Sequence, residues 1–114
     1  MNDRQTARRH RTESDILLRQ LDSHLSWVRT SAPQDLPLAE RITITLRRLV
    51  DETSRSSAVD RAMVRAAVHF VVVRKHRAGS TRHPHRPVSA DVPVLNEIVT
   101  ALGRHDLALQ HVAP

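Results

Sequence analysis

The chain has no cysteine, only two glycines, one lysine, and two aromatic residues of the Phe, Trp and Tyr class, Trp27 and Phe70. Without cysteine there is no disulfide, no thiolate metal site and no cysteine nucleophile. With Gly79 and Gly103 as the sole glycines, there is no glycine-rich phosphate loop. No nucleophile elbow or paired-metal motif is present either. These absences predict a protein that is not an enzyme and holds no cofactor. Both large aromatics fall on apolar helical stretches, so base stacking on single strands is not expected. The longest apolar run is Phe70-Val71-Val72-Val73, far short of the ~20 residues that span a bilayer. The amino terminus is basic but leads into a charged amphipathic segment, unlike a secretion signal. A soluble, cytoplasmic protein without membrane contact is the expectation.

What is present is charge, unevenly placed. The 114 residues carry a net charge of +6 with histidine neutral. Residues 1–11 hold Arg4, Arg8, Arg9 and Arg11 against Asp3, for +3. Residues 74–86 hold Arg74, Lys75, Arg77, Arg82 and Arg86 with no acid, for +5. The remainder is slightly acidic, at −2. Seventeen of the eighteen basic residues are arginine, a bias that GC-rich codon usage produces by itself. The clustering therefore carries more information than the count.

Hydrophobic periodicity predicts an all-α protein: a compact four-helix domain over residues 12–114, preceded at 1–11 by a mobile basic arm or a frayed helix start. Leu17, Leu21, Leu25 and Val28 mark a helix over 12–30, with Thr12 or Ser14 as its cap. Leu38, Ile42, Leu46, Leu49 and Val50 mark a second over 36–54, with Asp35 as N-cap. Ile42-Thr43-Ile44-Thr45-Leu46 alternates like a strand, but the segment is too long and too charged for one strand. Val59, Met63, Ala66, Ala67, Phe70 and Val71 mark a third over 57–77, with Ser57 and Asp60 approximating a capping box. Its wide apolar girth predicts a central position. Residues 79–90, with Pro84 and Pro87, read as a long loop. Leu95, Ile98, Val99 and Leu102 mark a fourth helix over 91–102, capped by Asp91 or Ser89 and stopped by Gly103 at C′. Residues 105–111 have room for a short fifth.

Three constellations are candidates for function. Arg61, Arg65, His69 and His76 step along one side of the third helix and lead into Arg74, Lys75 and Arg77. With Arg82 and Arg86 of the following loop they would form a positive surface for phosphates. The basic arm, Arg4 to Arg11, is the second, since such arms enter grooves or phosphate channels. The third is His83-Pro84-His85 with His76, the residue types of a zinc or nickel site. That loop has no carboxylate and its charge repels a dication, so no metal is expected there. A helix-turn-helix through Thr53-Ser54-Arg55-Ser56 would place the third helix in a groove, but that helix is too apolar to be an exposed reader.

Val64-Arg65-Ala66-Ala67-Val68-His69-Phe70, then Asp91-Val92-Pro93-Val94-Leu95-Asn96 through Ala101-Leu102-Gly103-Arg104-His105-Asp106-Leu107, resembles the YkvA-like family of small helical proteins of unknown function. The resemblance covers residues 64–107. The acidic, proline-containing segment between that family's helices is replaced here by basic residues 81–87. The resemblance implies a helical hairpin and no known activity. The reading reached from the residues is a non-enzymatic binding or regulatory protein that contacts a polyanion, nucleic acid above all, through Arg4, Arg8, Arg9, Arg11, Arg61, Arg65, Arg74, Lys75, Arg77, Arg82 and Arg86. The alternative is a helical protein–protein module, a homodimer built on the surplus of Val68, Val71, Val72 and Val73.

Overall fold

A computed structural model describes residues 3–77 and 87–109, and of Asp3, Ala7 and residues 74–77 it describes the backbone alone. Among these residues the regular structure is entirely helical. Four α-helices follow one another: α1 (Asp3–Ser31), α2 (Leu36–Thr53), α3 (Ala58–Arg77) and α4 (Asp91–Ala101). Short 3-10 turns at Pro33–Asp35, Val88–Ala90 and His105–Leu107 complete the list. The last of these occupies the place where a fifth helix had room, and it seats Leu107 in the core.

The segment expected to be an arm is helical from Asp3 and continuous with the helix expected from residue 12. The residues explain it. Arg4, Gln5, Ala7, Arg8, Arg9 and Arg11 are good helix formers, with no glycine or proline to stop them. Thr12 is not a cap; its hydroxyl donates to the Arg8 carbonyl at 3.0 Å, inside the helix. Nor does Asp35 cap α2 with its side chain, because the Pro33–Asp35 turn already leads the chain in. The same holds at α4, where the Val88–Ala90 turn precedes Asp91 and no side chain caps the helix. Ser57 does cap α3, its hydroxyl accepting from the Asp60 N–H at 3.2 Å.

The first three helices run up, down and up. Asp22 of α1 bonds Arg47 of α2 at 2.6 Å, and residues 10–17 lie beside residues 50–54, so α1 and α2 are antiparallel. The short connector at 54–57 turns α3 back along α2, which makes α1 and α3 parallel neighbours. α4 packs on α3, and the turn before it touches α2. The core is aliphatic: Leu17, Leu21 and Val28 from α1, Ile42, Leu46, Leu49 and Val50 from α2, Val64, Val68 and Val71 from α3, and Val92, Leu95 and Val99 from α4. Each fully buried leucine or valine contributes about 1.5–3 kcal/mol of transfer free energy.

Several faces differ from the periodicity reading. In α1 the buried position between Leu21 and Val28 belongs to His24, and Leu25 is half-buried. The His24 ring stacks beside Trp27 with centroids 6.2 Å apart. In α2, Ile44 is 65% exposed while Thr43 and Thr45 are buried. In α3, Val64 and Val68 are buried whereas Val59 and Ala66 face outward. A helix apolar around its girth offers no single stripe, so the neighbours choose its inward face. The central position expected for α3 is shared with α2, whose seven buried residues make it the most enclosed element described.

Candidate polyanion-binding surface

Arg8, Arg9 and Arg11 stand exposed on the first turns of α1, as does Arg4. One turn further on, α1 passes over the α2–α3 connector. There His10, Glu13, Ser14 and Leu17 of α1 face Val50, Thr53 and Ser54 of α2 and Arg61, Val64 and Arg65 of α3 across a narrow cleft whose enclosed space is about 20 Å³. Adjoining it, with His10, Ser14 and Ser54 in common, an open groove is lined by Thr6, Arg11, Asp15, Leu18, Asp51 and Arg55. The parallel course of α1 and α3 thus joins two of the expected basic groups, the amino-terminal arginines and the Arg61–Arg65 step.

The third group lies elsewhere. Arg74, Lys75 and Arg77 occupy the last turns of α3, at the opposite end of the bundle from the start of α1. Leu17 and Val64 line the same cleft and fix the register between α1 and α3. At 1.5 Å per residue, Arg8 and Lys75 are on the order of 30 Å apart along the axis. A single patch holding both groups is therefore not what the fold builds; they form two poles. Arg82, Arg86, His83 and His85 lie outside the described residues, and for His76 the backbone alone is described.

Polar groups around the cleft are unequally engaged. The Thr53 hydroxyl donates to the Leu49 carbonyl at 2.7 Å, and the Ser54 hydroxyl to the Asp51 carbonyl at 2.9 Å. Neither has a proton left for a ligand. Arg61 donates one N–H to the Ser56 carbonyl and so pins the connector, while its other donors remain. Arg8, Arg9, Arg11, Arg55 and Arg65 make no ion pair with any described residue. Glu13 is the one acid in the cleft itself, and Asp15 and Asp51 line the neighbouring groove.

Three cations elsewhere are paired, while Arg19, Arg29 and Arg41 pair with no described residue. Arg47 pairs with Asp22, in place of the helical Arg47–Asp51 pairing that spacing suggests. Arg48 bonds Glu52 at 3.1 Å, Glu52 also bonds Arg104, and Arg104 meets Asp106 at 3.0 Å. This chain of charges ties the residues after α4 to the last turn of α2. Hydrogen bonds from Arg104 and then Arg48 hold the Glu52 carboxyl below its ordinary range. The Arg104 hydrogen bond does the same for Asp106, and both carboxylates raise the guanidinium.

The valine surplus expected to serve a partner is largely consumed. Val68 and Val71 are buried, Val72 packs against the core, and Val73 alone is 38% exposed. Two contributors to the basic end escaped sequence reading. His10 lies in a stretch without an apolar face, so nothing local points it toward α3, and Arg55 sits in a generic polar turn. Among the described residues no cluster of three metal-ligating side chains occurs. No helix there is long and apolar enough to cross a membrane. Comparison with protein-family models, curated proteins and solved structures returns no match.

Proposed function

We propose that this protein is a non-enzymatic binding or regulatory module for a polyanion, nucleic acid in a cytoplasmic setting, and that the basic end of α1 and α3 makes the contact. The observation that supports this reading is specific. Among the described residues, Arg47, Arg48 and Arg104 are matched to carboxylates and Arg19, Arg29 and Arg41 stand unmatched but scattered, whereas the unmatched Arg8, Arg9, Arg11, Arg55 and Arg65 gather at one end of the bundle. Unmatched, exposed guanidiniums converging on one end have a favourable partner in phosphate oxygens, which they meet bidentately. Each phosphate neutralised releases condensed counterions, and this makes binding salt-dependent.

The test is anisotropy of a labelled 20-base-pair duplex over a salt series. Four to six phosphate contacts give a slope of log affinity against log salt near about −4 to −5. Replacing Arg8 and Arg9 together by glutamine should flatten that slope by about 2 without changing helicity. A response independent of salt would end the proposal.

A further inference from the structure

The cleft between α1 and the α2–α3 connector has the makings of a seat for one phosphoryl group. Arg61 and Arg65 are four residues apart on α3, which places them as neighbours on one helix face, about 5–6 Å between Cβ atoms. Both line the cleft. Arg61 is already held by the Ser56 carbonyl, so its fork is oriented before any ligand arrives. Arg65 has no described partner to give up. From the facing wall His10 and Ser14 supply further donors, and neither makes a hydrogen bond through its side chain to a described residue. Donor-bearing residues on both walls suit an oxyanion, and guanidinium forks match its oxygen spacing. The enclosed space is only about 20 Å³, so a single phosphate oxygen enters between the walls while the rest of the group lies at the open mouth, where Arg65 is exposed.

Glu13 decides which phosphoryl group. Its carboxylate lines the same cleft and would repel a second negative charge. A phosphodiester carries one charge at neutral pH, whereas a phosphomonoester carries between one and two. We infer that the Arg61–Arg65 cleft seats a single phosphodiester in preference to a phosphomonoester or free phosphate, an inference that rests on the polyanion reading and names the group recognised.

Amide shifts of the isotopically labelled full chain, titrated with the dinucleotide d(TpT) and separately with inorganic phosphate, test this. Saturable shifts confined to residues 10–14, 53–56 and 61–65 are expected with d(TpT), and weaker binding with phosphate. Arg65→Gln, an exposed substitution that leaves the Arg61–Ser56 bond intact, should weaken d(TpT) about tenfold. Arg29→Gln, on the distant half of α1, should leave it unchanged. Glu13→Gln should strengthen phosphate more than d(TpT), and so narrow the preference. Absence of saturation at these amides, equal effects of R65Q and R29Q, or an unchanged preference in E13Q would overturn the inference. If the long duplex binds with the expected salt slope while these amides stay still, the cleft assignment fails and the polyanion reading survives. If d(TpT) saturates the cleft while the duplex shows no salt slope, the cleft stands and the polyanion reading fails.

Discussion

Single residues divide into those whose place was written in the sequence and those whose place came from packing. Leu46 belongs to the first kind: it sits in the middle of a clean 3.6-residue stripe and is fully buried. Leu46→Ala should cost about 2–5 kcal/mol, read by urea denaturation. Ile44 belongs to the second. Its hydrophobicity argues for burial, yet it is 65% exposed, and Ile44→Ala should change stability by no more than about 0.5 kcal/mol. Gly103 was legible for a stereochemical reason. It has φ +74, and the N–H groups of Gly103 and Arg104 close the end of α4 on Thr100 and Val99. A Cβ there meets nothing within 4 Å, so Gly103→Ala should cost about 1 kcal/mol through backbone strain alone. Arg104 adds a pH signature. A carboxylate with a depressed folded pKa stabilises the fold above its unfolded pKa, and that contribution fades as pH falls through the folded value. The advantage of the native chain over Arg104→Gln should therefore be full at neutral pH. It should shrink from about 4.5, the ordinary value for Glu52, downward past 3.8, that for Asp106. Melting temperatures across that range check it, and a gap that widens on acidification would contradict the assignment.

At the scale of elements, number and type of helices were readable because Leu, Ile and Val recur at helical spacing and because prolines and Gly103 punctuate them. Starts were less readable. Capping residues signal a helix only where the chain enters it from coil, and here two 3-10 turns do the entering, before α2 and before α4. The start of α1 was hidden for another reason: residues 4–11 have helix propensity but no apolar face, and periodicity is silent about such a stretch. The face of α3 was hidden by excess, since valine and alanine surround it. Asn96 shows a contact no local pattern announces. Its side-chain amide both donates to and accepts from the Leu109 backbone, at 2.9 and 2.8 Å, and fastens the segment after α4 to that helix. Asn96→Ala leaves both Leu109 groups without these partners and should release the segment. Faster amide exchange at Leu109 with little change at Val68 would show it.

For the whole molecule, the sequence announced two basic clusters but not their separation, because that depends on which way α1 and α3 run beside each other. Two poles on the order of 30 Å apart set a ruler for any nucleic acid that touches both, about nine base pairs at 3.4 Å per step. Competition with a ladder of duplex lengths separates the cases: contact through the basic end of α1 alone gives an early plateau, whereas affinity that climbs steeply up to about nine base pairs engages the second pole as well. If six base pairs bind as tightly as fifteen, only one pole is engaged. The bond from Arg61 to the Ser56 carbonyl has a consequence of another sort. The guanidinium that latches the hairpin also lines the cleft, so an anion taken up there, as inferred above, would be linked to local order. An anion bound there would steady the bend, and a slackened bend (as in Ser57→Ala) would hold it more weakly in proportion to the ordered population it loses.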